Sequence, residues 1–291
     1  MASIDPGADQ GTGPTARRMI LGTQLRKLRE RAGLTRAQAA YEIRASESKI
    51  SRMELGRVSC KERDVVDLLT MYGVYDETER AWAVQMVKRA KEPGWWHKFN
   101  DLVPDWFDNY IGLEEAASRI RTYELMFVPG LLQIEPYART VAGRGNPDSG
   151  DENLERRVAM RMRRQKVLTA PKSPRLWAVL DESVLHRPVG GAAVLRRQID
   201  HLLEMTTLPH VSLQIVPFDL SGFAAEGAFT LLQFAEPELP NIAYVEHGYG
   251  AIYLEKPDEL EVYGRAFDRL TVDAETPERS RQLLSKLRNE I

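Results

Sequence analysis

The stretch LTRAQAAYEIRASESKISRMELGR, residues 34–57, reads as two short helices joined by a tight turn. Thr35 supplies a hydroxyl in front of a helix over 36–43, and Ser46 supplies another in front of a helix over 47–55 that Gly56 ends. Ala39, Ala40 and Ile43 are small or flat, so two helices can cross closely on them. On the second helix Ile50 and Met53 turn inward, while Glu47, Ser48, Lys49, Ser51 and Arg52 form a slim polar face. A helix of that kind fits the major groove of DNA, where each base pair presents a distinct pattern of donors and acceptors. The turn between the helices carries Arg44 where a glycine would be easiest. A non-glycine residue at positive φ costs on the order of 1 kcal/mol, so either the turn differs or Arg44 offsets that strain by reaching a phosphate.

Working outward, Met19, Leu21, Leu25 and Leu28 recur at helical spacing up to Gly33. Ser59 is expected to cap a fourth helix whose apolar face is Val65, Val66, Leu68, Leu69 and Tyr72, and DETERAWAVQMVKRAKEP supplies a fifth before Pro93. Residues 1–16, rich in Gly, Pro, Asp and Thr, are expected to be disordered. Net charge is −2 over the 291 residues, and the average conceals an asymmetry. From Arg17 to Arg63 there are 13 Lys and Arg against five Glu and no Asp, a local balance of +8 on a body of −10. A basic block on an acidic body is the electrostatic footprint of a nucleic-acid-binding module, and a merely solvated charged face is its plain alternative.

The pattern LRKLRERAGLTRAQAAYEIRASESKISRMELGR resembles the phage-repressor-type (XRE-like) helix-turn-helix family over about residues 19–75. Its recognition helices commonly read S-x-x-x-I-S-R-x-E-x-G, which stands here as Ser46, Ile50, Ser51, Arg52, Glu54 and Gly56. The resemblance implies that Glu47, Ser48 and Arg52 face base edges. It places Thr35, Arg36, Ser46, Lys49 and Ser51 near phosphate, joined by Arg44 if that side chain reaches the backbone. Arg29 and Glu54 match a buried salt bridge linking the first and third helices. Glu47 departs from an anion-friendly surface, and near DNA it serves only where it accepts from a cytosine amino group or rejects other bases.

Residues 93–170 read as a helical linker or dimerisation segment, and Trp95, Trp96, Phe99, Trp106, Phe107 and Tyr110 lie within sixteen residues of it. Asp101, Asp105 and Asp108 among them favour a core or subunit interface over base stacking. FVPGLLQ, 127–133, is an apolar run suited to core packing, with a hydrophobic dock as its alternative. The basic helix over 155–168 offers Arg156, Arg157, Arg161, Arg163, Arg164 and Lys166 either to acidic partners or to an extra phosphate track. After Pro171 the texture changes to the strand-like runs RLWAVLDES, HVSLQIVPF, AFTLLQFAE, NIAYVEHG and AIYLEK, with helices at AAVLRRQIDHLLEMTT, PDELEVYGRAFDRLTVDA and PERSRQLLSKLRNEI. The expected fold is therefore multi-domain: disordered 1–16, a five-helix helix-turn-helix domain over 17–92, the helical segment, and over 171–291 a mixed α/β domain with a largely antiparallel sheet.

TYELMFVPGLLQIEPYART, ERRVAMRMRRQKVL, LDESVLHRPVGG, PHVSLQIVPF and YVEHGYGAIYLE, followed by YGRAFDRL, are similar to the WhiJ-like actinobacterial regulators, described as antitoxin-like transcriptional regulators. That resemblance implies a small partner protein encoded nearby, and the C-terminal domain is read as a sensing or partner-binding domain. It also implies two overlapping roles, a DNA-binding regulator or an antitoxin-type interaction module that neutralises its partner and autoregulates.

With 43% hydrophobic residues the chain can bury more than one core, and no apolar run is long enough to cross a bilayer. One cysteine, Cys60, excludes an intrachain disulfide framework, and the N-terminus lacks the apolar core of a signal peptide, so the cytoplasm is the expected compartment. Asp181, Glu182 and His186, with His201, His210 and His247, are the residues from which an acid/base or metal site would be built. Yet HExxH, GxSxG, Cys/His metal spacing and a phosphate-binding glycine loop are all missing. The expectation is a non-enzyme without metal or cofactor, bound to double-stranded DNA as a homodimer, with His186 and Arg187 as partner or ligand contacts.

Overall fold

The computed structural model describes residues 13–145, 147–148, 150–219 and 227–291, without the side chain of Asp105. Contacts divide the chain into two compact units. The first runs through Lys98 and takes in Asp108–Ala116 and Phe234–Pro240; the second comprises Phe99–Phe107, Ala117–Gln233 and Asn241–Ile291.

The first unit contains the five expected helices: α1 (Pro14–Arg31), α2 (Arg36–Glu42), α3 (Glu47–Glu54), α4 (Glu62–Met71) and α5 (Glu77–Ala90). The expected disorder of residues 1–16 lies outside the described residues as far as 12, and Pro14 to Ala16 already belong to α1. Proline at the first helical position gives up an N–H that has no intrahelical partner anyway. Ser59 does not cap the fourth helix. That position falls to Lys61, whose side chain makes no cap bond, and Cys60 between them is buried. α6 (Asp105–Ala116) follows a 3-10 turn at Trp95–Phe99. Of the aromatics there, Trp96, Phe99 and Tyr110 are buried, as core packing requires.

The second unit is built on a six-stranded sheet of β1 (Arg119–Glu124), β2 (Arg175–Asp181), β3 (Val211–Val216), β4 (Phe229–Gln233), β5 (Ile242–His247) and β6 (Gly250–Leu254), in the order β3-β2-β1-β4-β5-β6. β1 runs parallel to β2 and β2 to β3, while the pairings of β1 with β4, β4 with β5 and β5 with β6 are antiparallel. Parallel neighbours need long crossovers. α7 (Glu135–Gly145) and α8 (Asp151–Arg164) supply the first, and α9 (Ser183–His186) and α10 (Ala192–Met205) the second. The chain closes with α11 (Pro257–Asp273) and α12 (Pro277–Glu290).

β1 corrects the expectation of an all-helical segment over 93–170. RIRTYE carries Arg119 and Arg121 where an isolated strand would show apolar residues, and its strand state comes from partners on both sides. Arg121 keeps its guanidinium over the Phe267 ring (5.3 Å) and 3.4 Å from Asp268, so its stem can cover apolar surface. One sheet face packs Tyr123, Val179, Phe229, Leu231 and Ala243 against Phe267 and Leu270 of α11. The edge at β3 is finished by the C-terminal segment, since Ile215 N–H donates to Ser280 Oγ and Ile215 C=O accepts from Glu275 N–H. FVPGLLQ is core: Val128, Leu131, Leu132 and Gln133 are buried. No helix among the described residues is long and apolar enough to cross a membrane.

Candidate nucleic-acid interface

The α2–α3 pair is set by local chemistry. Thr35 Oγ1 accepts from Gln38 N–H (3.2 Å) while Gln38 Oε1 accepts from Thr35 N–H (2.8 Å), a reciprocal capping box that starts α2. Ser46 Oγ accepts from Lys49 N–H (3.2 Å) and starts α3. Between them Arg44 adopts φ 52, a left-handed conformation in the position where glycine is easiest. The strain anticipated from the sequence is therefore present, and the Arg44 side chain is exposed.

α3 is clamped from behind. Ile50 and Met53 are buried, and a Cβ on Gly22 of α1 would lie 2.4 Å from Met53 O and 2.7 Å from Glu54 O. Only glycine at 22 lets the two backbones approach this closely. Glu54, 4% exposed, accepts from Arg29 Nε (2.5 Å) and Nη2 (3.1 Å), and Arg29 is itself only 6% exposed. The bond to Glu54 raises the Arg29 pKa above its ordinary value, against the opposing effect of burial. A third bond reaches the same carboxylate from Arg36 Nε (3.1 Å).

What remains on the outside is Glu47, Ser48 and Arg52, all exposed on α3, flanked by exposed Thr35, Arg44 and Ser46 and half-buried Ser51. Arg52 Nε lies 3.4 Å from Ser48 O, folded along its own helix with its charge outward. Two residues matched to phosphate have structural partners in the free chain. Arg36 is bound to Glu54, and Lys49 Nζ sits 2.7 Å from Asp64 Oδ2 of α4. For either to serve a phosphate it must share or leave that carboxylate. Asp64, Gly22 and the second arginine on Glu54 were missed in the sequence. Asp64 in the first turn of α4 and a glycine inside α1 were the available signals.

His186 and Arg187 belong to the other unit. His186 Nε2 pairs with Glu182 Oε1 (3.1 Å) and its ring lies 5.2 Å from that of Phe218, while Arg187 is exposed. The remaining histidines do not gather there: His201 meets Glu204, His210 the carbonyl of Leu168, and His247 the N–H of Tyr249. On α8, Arg156 pairs with Asp101, Arg161 donates to Gln133, and Arg164 lies over Phe107, so this basic helix spends those charges inside its own unit.

Residues 20–83, from inside α1 to inside α5, match a helix-turn-helix domain. Residues 107–286, well over half of the chain, match a domain of unknown function, DUF5753. The chain belongs to the DUF5753 family. Comparisons with curated proteins and with solved structures return no match. In this DUF5753 member the helix-turn-helix match supports a DNA-binding transcriptional regulator.

Proposed function

We propose that the chain is a sequence-specific transcriptional regulator that docks α3 in the major groove as one half of a homodimer on a near-palindromic site. Its C-terminal unit, on this reading, receives a small partner protein or ligand. The observation that carries it is the exposed row Glu47, Ser48 and Arg52 on a helix whose back is immobilised by Gly22 and the Glu54 carboxylate. Rigid elements position base-reading side chains better than loops do. Arg52 has the forked donors to engage guanine O6 and N7 together, Ser48 can donate or accept, and Glu47 can accept from a cytosine amino group. Thr35, Ser46 and Arg44 then hold the backbone. Thr35 and Ser46 accept cap bonds at their hydroxyl oxygens, and the Ser46 proton is left to donate to a phosphate. A homodimer follows from arithmetic, because one small module gives few specific contacts and two-fold symmetry doubles them. Selection of binding sites from random duplexes with the purified full chain tests this reading. Enrichment of an inverted repeat with half-sites about one helical turn apart supports it; enrichment of no motif contradicts it.

A further inference from the structure

α3 carries an ion pair near each end. At its last residue, Glu54 binds Arg29 of α1 and Arg36 of α2. At its third residue, Lys49 Nζ lies 2.7 Å from Asp64 Oδ2 in the first turn of α4. Lys49 is fixed through its backbone as well, since its N–H donates to the Ser46 hydroxyl that caps the helix. α4 is itself anchored, with Val65, Leu68 and Leu69 buried. The close approach of Gly22 and the Glu54 clamp both act at the C-terminal end of α3. The Lys49 tie acts at the other end, where Glu47 and Ser48 directly precede it and Arg52 follows by three residues, about one helical turn.

The sequence resemblance places Lys49 near phosphate, and the ion pair argues against that role. Asp64 is 6% exposed, and among the described residues its carboxylate has no other hydrogen bond or ion pair. A lysine that left for a phosphate would strand a buried charge in exchange for a contact that water and salt screen. A lysine that stays belongs to a pair that is neutral as a whole, so it releases little condensed counterion when DNA binds. Arg36 differs. It gives Glu54 only its Nε (3.1 Å), and its side chain is 41% exposed, so both Nη groups stay outside the pair. A guanidinium fork can hold a carboxylate on one edge and a phosphate on another, whereas an ammonium is a single point charge.

We propose that Lys49 is a positioning residue for base reading: with Asp64 it fixes the N-terminal turn of α3 against α4, and it holds no phosphate. A bidentate contact from arginine to guanine depends on the angle of the helix that carries it. Loosening the tie therefore costs the selected site more than random DNA. The inference rests on the reading of α3 as a recognition helix and adds to it the pair that aims the helix.

The test is equilibrium binding of the full chain, Lys49→Met, Asp64→Asn and the double variant to the selected duplex and to a scrambled one, at several salt concentrations. Lys49→Met should weaken the selected duplex about tenfold, at the low end of what a lost base contact costs, while the scrambled duplex stays within about twofold and the salt slope is kept. Asp64→Asn preserves the shape of the carboxylate and should weaken the selected duplex by roughly threefold or more, and the double variant should bind no more weakly than Lys49→Met alone. A mere loss of folding removes the same fraction of active protein from both duplexes, so their ratio isolates positioning. Equal weakening of both duplexes by Lys49→Met, with a salt slope smaller by about one unit, would overturn the proposal. Unaltered binding by either single variant would do the same, as would tighter binding by Asp64→Asn, the sign expected if Asp64 withholds Lys49 from a phosphate. Enrichment of no motif in the site selection removes the recognition-helix reading and this inference with it; with a motif enriched, those outcomes overturn this inference alone.

Discussion

Replacing Glu54 by alanine removes the acceptor of three hydrogen bonds and leaves the Arg29 guanidinium without its carboxylate at 6% exposure. Arg29 keeps one bond to a backbone oxygen, Leu34 O (2.8 Å), and its exposed neighbour Glu30 lies 3.4 Å away. Breaking a buried pair from one side costs about 3–5 kcal/mol, because the remaining charge stays desolvated. Arg36 adds little to that loss, since its side chain is 41% exposed and water can replace Glu54. For a helical unit of this size each kcal/mol shifts the midpoint by about 4–8 °C, so its transition should fall by at least ~12 °C. Hydrogen exchange on the full chain, followed by mass spectrometry, separates the two units: α1 to α5 should lose protection while the six strands keep theirs. Adding Arg29→Met to Glu54→Ala should recover about 2 kcal/mol or more, because the stranded charge is then gone. Unchanged protection of α1 and α3 in Glu54→Ala, or no recovery in the double variant, would refute the account of how α3 is held.

Gly22→Ala should destabilise the first unit by about 1–3 kcal/mol, since its Cβ meets two backbone oxygens of α3. Gly264→Ala, at a helical position with nothing within 4 Å, should instead stabilise the chain by ~1 kcal/mol, and chemical denaturation reads both. Arg44→Gly should raise the stability of the first unit by on the order of 1 kcal/mol by relieving the positive φ. The same change should flatten the salt dependence of DNA affinity by about one unit of slope, as expected on loss of one phosphate contact. Glu124 carries a raised pKa, so the folded chain holds that proton more tightly than the unfolded chain. Its contribution to stability should fall by about 1.4 kcal/mol per pH unit as pH rises from about 4.5 to about 8. Urea titrations across that range should show the slope as a difference between the parent and Glu124→Gln.

The turn region was legible because each step there has a local cause: the Thr35 and Ser46 caps, Gly56 at the end of α3, and the inward Ile50 and Met53. The five strands after Pro171 announced themselves as short apolar runs. β1 did not, because Arg119 and Arg121 mask it and its hydrogen bonds come from segments far along the chain. Ser59 misled for a similar reason: a capping residue type is common, and the cap position of α4 falls two residues later, at Lys61. Within the site, the exposed face of α3 followed from helical periodicity. The partners of Arg36 and Lys49 did not, because Glu54 and Asp64 meet them only through the crossing of helices.

The central claim is that α3 reads bases through Arg52, and the direct measurement is equilibrium binding of the full chain and of Arg52→Ala to the selected duplex and to a scrambled duplex of the same length. Loss of ~1–3 kcal/mol on the selected duplex, with little change on the scrambled one, is the predicted result for a residue bidentate to guanine. Equal weakening on both duplexes would make Arg52 a phosphate contact and contradict the account.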